Sequence, residues 1–197
     1  MNRVLMGVAT LALLSGASAA NAVTINIFTD RTMWESAVGG LFVEETFDDT
    51  SLVPGLSESS TVGVVAGGVW DDQLLGGTQE TEWFFSNPVL GFGGNWDTAG
   101  PGGPGGFGIA MTLSLTVGGD HIVGDVVPGD SPGDFYGLTS DTPFTAVLLQ
   151  EGAGMSGVET YDLDNLVFST AVVPEPSTIA FLGLGLLGLA LRRRSTR

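Results

Sequence analysis

The run from Ile109 to Val117 places a large apolar residue at every odd position and a small or hydroxylated one at every even position. Period two over a full strand length puts one face in a core and the other toward water. Val23 to Thr29 alternates in the same way, with Val23, Ile25 and Ile27 on one face. Further strand-like stretches are Phe42–Phe47, Thr61–Val65, Val69–Leu74, Thr81–Ser86, Phe144–Gln150 and Thr160–Ser169, separated by Gly, Pro, Asp and Ser clusters. No long helical periodicity intervenes, so the pattern predicts an all-β, antiparallel sandwich or jelly-roll-like domain rather than a βαβ fold. One short helix is expected at Asp30–Val38, where Thr32 and Glu35 have capping-box spacing. With its ends set aside, a chain of 197 residues leaves one domain, residues 23–170.

The segment Gly91 to Gly108 holds nine glycines. Glycine loses the most backbone freedom on ordering, and the segment reads as a loop rather than a strand interior. On this reading the loop either presents Trp96 and Asp97 to a ligand or folds Trp96 back as a plug.

The two ends differ from the body. Met1-Asn2-Arg3 precedes an apolar run from Val4 to Leu14 and then small residues, the layout of a secretory signal peptide over residues 1–22. Ala17-Ser18-Ala19 and Ala20-Asn21-Ala22 are adjacent A-x-A cleavage sites, and cleavage after Ala22 leaves Val23 to open the first strand. At the other end, Pro174-Glu175-Pro176 makes a rigid extended segment ahead of an apolar stretch from Thr178 to Leu191. As a helix that stretch is roughly 21 Å long, short of the ~30 Å hydrocarbon core. Arg192, Arg193 and Arg194 follow it, and as membrane-stop residues they place the body outside the inner membrane. Every side of the stretch is apolar, which fits a transient membrane helix better than a surface helix of the domain.

This tail, residues 171–197, resembles the PEP-CTERM sorting domain of exported proteins of Gram-negative bacteria. The tripeptide, the glycine-containing apolar helix and the arginine cluster stand in the family's order. The resemblance implies sorting and processing by an exosortase, an integral-membrane cysteine protease. Signal peptidase, the exosortase and, transiently, the inner membrane are then the expected partners. It also implies a setting among exopolysaccharide and biofilm-matrix proteins. Several phrases of the body resemble the extracellular domain that often precedes such tails. They are Phe28-Thr29-Asp30-Arg31 with Trp34, Glu45-Thr46-Phe47-Asp48-Asp49, Phe92-Gly93-Gly94-Asn95-Trp96-Asp97, and Glu159 through Phe168. That resemblance implies a β-sandwich whose last strand ends just before the tail, and no general activity.

Charge and residue usage narrow the chemistry. Of 22 acidic residues only Glu175 lies in the tail, while Arg31 is the single cation of the body. Such a body cannot neutralise phosphates, which excludes nucleic acid as a partner. With no cysteine and one histidine, His121, zinc and thiolate sites are unavailable. His121 follows a Gly-Gly-Asp turn and reads as a solvated residue at a strand start. No G-x-S-x-G elbow accompanies it. A structural calcium is the one cofactor considered. Asp162, Asp164 and Asn165, joined by Glu45 or Asp48, would supply oxygens, the alternative being a polar outer face with an Asx turn. Trp70, Trp83 and Trp96 are the candidates for contact with a glycan.

The expected function is a non-catalytic surface or biofilm-matrix protein, not an enzyme, that contacts exopolysaccharide. Two alternatives stand beside it: an extracellular polysaccharide hydrolase or lyase using paired carboxylates, and a structural surface-layer subunit.

Overall fold

The computed structural model describes residues 22–76, 78–99, 106–152 and 157–170. The sorting tripeptide, the apolar stretch, the arginine cluster and the signal peptide up to residue 21 lie outside the described residues; Ala22 is the first described residue and is exposed.

Ten strands and one helix follow in order: β1 Ile25–Phe28, α1 Arg31–Ala37, β2 Phe42–Glu45, β3 Leu56–Ser60, β4 Val64–Ala66, β5 Val69–Leu75, β6 Thr81–Asp97, β7 Ile109–Leu115, β8 Gly119–Val127, β9 Pro132–Glu151 and β10 Val158–Ser169. Every pairing is antiparallel, and the main path runs β4-β5-β10-β6-β9-β7-β8, with β1 on β9, β2 on β10 and β3 on β6. The expected all-β fold is present.

Two long strands serve both layers. In β6 the register against β9 breaks between Phe84 and Val89 and again before Gly91. The first part of β6 pairs with β3 and the end of β9, which in turn carries β7 and β8. The second part pairs with β10 and the start of β9, which carries β1. The inner faces meet in one core. Trp70 of β5 stands edge-on to Trp83 of β6 at 5.1 Å between rings, and Ile109, Met111 and Leu113 of β7 are fully buried. Ala110, Thr112 and Ser114 are less buried, so the period-two reading fits β7, but Val117, expected on the same core face, lies beyond the strand's end and is 75% exposed.

The expectation that Gly91–Gly108 forms one loop is corrected: Gly91 through Asp97 are the second half of β6. Glycine stands there because neighbours occupy the space of a side chain. A Cβ on Gly93 would lie 2.8 Å from the Gly137 Cα and 2.9 Å from the Phe135 ring, and one on Gly94 would lie 2.5 Å from Leu163. Ladder hydrogen bonds and packed neighbours override the low strand propensity.

The helix is also capped differently from the expectation. Asp30, not Thr32, is the N-cap, and its carboxylate accepts the Met33 N–H at 2.9 Å. The helix seats Trp34, fully buried, over Gly91, and the indole N–H donates to the Leu138 carbonyl at 3.0 Å. Arg31 ties helix to sheet by bonding Glu35 at 2.8 Å and Glu44 of β2 at 2.7 Å. Among the described residues no helix is long and apolar enough to cross a membrane.

Candidate functional site

The outer face of the first sheet, the layer of β5, β10, the second part of β6 and the start of β9, divides in two at a bulge in β10. Asn165 has φ +48°, and the pairing with β6 shifts between Asp164 and Val167. Before the bulge the even residues Thr160, Asp162 and Asp164 face outward and are partly exposed; after it Val167 does so and is buried with Trp34 and Phe135 beneath α1. A bulge adds one residue to one strand and so exchanges its faces. One half of the face is closed by the helix, and the other is open and polar.

The open half is organised by register. Asp162 stands directly opposite Asp71 on β5 and opposite Asp97 on β6, so three carboxylates form a row across three strands. Asp164 lies opposite Asn95 in the next row. A depression of about 270 Å³ is lined by Asn95, Asp97, Asp162, Asp164 and Asn165, with Val69 and Gly133 at its border. The Asn95 amide donates to the Gly133 carbonyl at 3.0 Å, and the Asp97 carboxylate accepts the Ala99 N–H at 3.1 Å. Partial burial, then the charges of Asp71 and Asp97, hold the Asp162 carboxyl above its ordinary range. The row offers acceptors to hydroxyls or to a hard cation, although no three carboxylate or imidazole groups among the described residues converge as a metal site.

The residues singled out in the sequence are distributed unevenly. Asp162, Asp164 and Asn165 share the depression, but Glu45 and Asp48 do not join it. Glu45 is buried, and its two oxygens accept the Phe47 and Val53 N–H groups, each at 2.7 Å. That double acceptance holds Phe47 at φ +55° with its ring against Trp70 and Trp83. Asp48 accepts from the Thr46 hydroxyl on an exposed turn. The tryptophans need a larger correction. Trp70, Trp83 and Trp96 are 3%, 0% and 0% exposed, so none presents a ring face to a sugar. Large apolar area drives them into the core, where the Trp70 N–H meets Asp72 and the Trp96 N–H meets the Tyr136 carbonyl.

Asp71 and Asn95 were missed as site residues. The alternation of β5 carried a signal for the first: Val69, Asp71 and Gln73 share a face opposite Trp70, Asp72 and Leu74. Asn95 was hidden by the glycines around it. His121 lies in β8, pairs opposite Leu113 and is half-buried.

Comparison with protein families bears on the tail. Residues 172–194 match the family model described as the PEP-CTERM protein-sorting motif. The chain carries a PEP-CTERM sorting tail. It is thereby an exosortase substrate, exported for processing and delivered to the cell surface or the extracellular space. Among solved structures, a mutant of the family 29 carbohydrate binding module CBM29-2 aligns with a TM-score of 0.48 at 14% identity, over 66% of this chain and 92% of that one. Another family 29 module, from Piromyces equi, aligns with a TM-score of 0.44 at 9% identity, over 79% of this chain and 95% of that one. A search of the curated proteins gives no match.

Proposed function

We propose that the PEP-CTERM protein is a surface or biofilm-matrix component whose sandwich contacts exopolysaccharide without catalysis, through the open half of the first sheet. The observation that carries this reading is the planar set of outward acceptors and amides, Asn95, Asp97, Asp162, Asp164 and Asn165, around one shallow depression. Neighbouring strands hold such groups about 4.8 Å apart, a spacing suited to successive hydroxyls of a sugar. Buried tryptophans leave hydrogen bonding without a stacking platform, so the expected contact is weak per site and gains strength from many copies on one polymer. The row of carboxylates favours a neutral polysaccharide over an acidic one, since like charges repel.

Sedimentation of the processed protein with the producer's own exopolysaccharide tests this reading. The wild type should co-sediment, and a variant combining Asn95→Ala and Asp164→Ala should lose most of that binding while melting at a similar temperature. Undiminished co-sedimentation of the double variant would remove the face from consideration. Release of reducing sugar during the incubation would favour the hydrolase reading instead, with the Asp71–Asp162–Asp97 row as its carboxylates.

A further inference from the structure

A second group of acids lies where the end of β9 comes near the start of β10. Glu151, the last residue of β9, and Glu159, near the start of β10, are each 1% exposed. Glu159 accepts the Gly108 N–H at 2.5 Å, and Glu151 accepts the Gly157 N–H through Oε1 at 2.9 Å. The two side chains are close enough for the charge of Glu151 to act on Glu159. Backbone crowds around them. A Cβ on Gly106 would meet both Glu159 oxygens within 2.5 Å, and one on Gly152 would lie 2.4 Å from the Phe107 carbonyl and 3.0 Å from Asp125 Oδ1.

The other Glu151 oxygen, Oε2, is buried, and no donor reaches it among the described residues. This sets the pair apart from the remaining buried acids. Glu45 has a backbone N–H on each oxygen, and Asp72 has five donors. A buried carboxylate without donors or a counter-charge costs several kcal/mol. The chain has no lysine, and Arg31 is held by Glu35 and Glu44. No lysine or arginine among the described side chains is therefore placed to neutralise the pair.

We propose that Glu151 and Glu159 are the protein's carboxylate ligands in a binding site for a calcium ion. The donors are all hard oxygens, with neither thiolate nor imidazole among them, which disfavours zinc and copper. Calcium accepts six to eight oxygens in irregular geometry, mixing carboxylates with main-chain carbonyls, whereas magnesium demands a near-ideal octahedron. The Gly108 N–H holds one oxygen of Glu159 in place beside Glu151. Export makes the ion available: extracellular calcium modules work at dissociation constants of about 10⁻⁴ to 10⁻³ M.

Isothermal titration and thermal melting of the exported protein, first stripped with EDTA and then given calcium chloride, test the site. One equivalent should bind, and melting in millimolar calcium should rise by roughly 5 °C, with a smaller response to magnesium. Glu151→Gln should abolish both effects, while Asp162→Asn, on the outer face, should leave them intact. If Glu151→Gln does not fold, the wild-type titration still decides. No heat and no melting shift in the wild type would overturn the site, as would a calcium shift that survives Glu151→Gln or vanishes with Asp162→Asn. A stabilisation that appears on acidification alone, with no response to calcium, would assign the charge to a shared proton and equally overturn it.

Discussion

Asp72 faces the core from β5 and is 2% exposed, yet it has no cation beside it. Its carboxylate instead gathers the Trp70 indole N–H at 3.1 Å, the Tyr161 hydroxyl at 3.2 Å, the Gln73 N–H at 2.7 Å, and the Ser60 and Thr81 hydroxyls. Burial, then the charge on Asp72, push the Tyr161 phenol well above its ordinary range, so it stays a donor. Asp72→Ala would strand several buried donors and should cost about 3 kcal/mol in urea unfolding. Asp72→Asn should cost less, because the hydroxyl partners can rotate to accept from the amide. Asp162, on the outer face, acts on stability through pH. Its folded-state carboxyl titrates above the unfolded value, so between those values the folded chain binds more protons and stability falls as pH rises. The penalty is absent below the unfolded value, just under pH 4, and complete above the folded one. Asp162→Asn should therefore raise the melting temperature at pH 7, and the gain over wild type should shrink to nothing as pH is lowered through that window.

At the scale of elements, β6 shows how a strand survives three glycines within four residues, Gly91, Gly93 and Gly94. The opposing side chains, Trp34 over Gly91 and Leu163 over Gly94, fill the gaps the glycines leave. At Gly93 the obstacle is partly backbone, the Gly137 Cα and the Tyr136 carbonyl at 3.1 Å, and backbone cannot swing aside. Gly93→Ala should destabilise by about 2 kcal/mol through overpacking, read as a lower urea midpoint with an unchanged slope. The same strand marks the limit of what a sequence pattern reveals. In β7 each apolar residue packs its own side chain, so alternation alone exposes the strand. In the second half of β6 the packing volume belongs to residues up to about 70 positions away, and no local pattern records it. The tryptophans mislead for a related reason: aromatic residues beside polar ones look alike in a binding face and in a core, where Trp70 and Trp96 find acceptors for their indole N–H groups and Trp83 has none among the described residues. Asp162 and Asp164 were legible as one face because β10 keeps period two up to Asn165. The bulge there, which closes the far half of that face under α1, follows from tertiary pairing.

The whole molecule is a strongly asymmetric object, an acidic sandwich joined to a basic tail. The described body holds the single cation Arg31, whereas Arg192, Arg193, Arg194 and Arg197 cluster at the end of the chain. Mutual repulsion keeps such acidic bodies apart, and an arginine cluster left on the cytoplasmic side of a membrane would resist being drawn across it. The last strand ends at Ser169, so only four residues separate the sandwich from Pro174. Eight residues lie between Ser169 and the apolar stretch that opens at Thr178, a reach of roughly 28 Å when fully extended, so a tail lodged in the inner membrane would keep the sandwich near its surface. Cleavage of a membrane-held tail would free the sandwich to leave the inner membrane. Replacing Pro174, Glu175 and Pro176 together with alanine should leave the sandwich folded but the tail uncut. Mass spectrometry of the wild type from native cells should show a C-terminus upstream of Arg197. The triple variant should retain Arg197 and remain in the membrane fraction. Intact Arg197 on wild-type protein at the cell surface would mean that the tail serves as a lasting anchor.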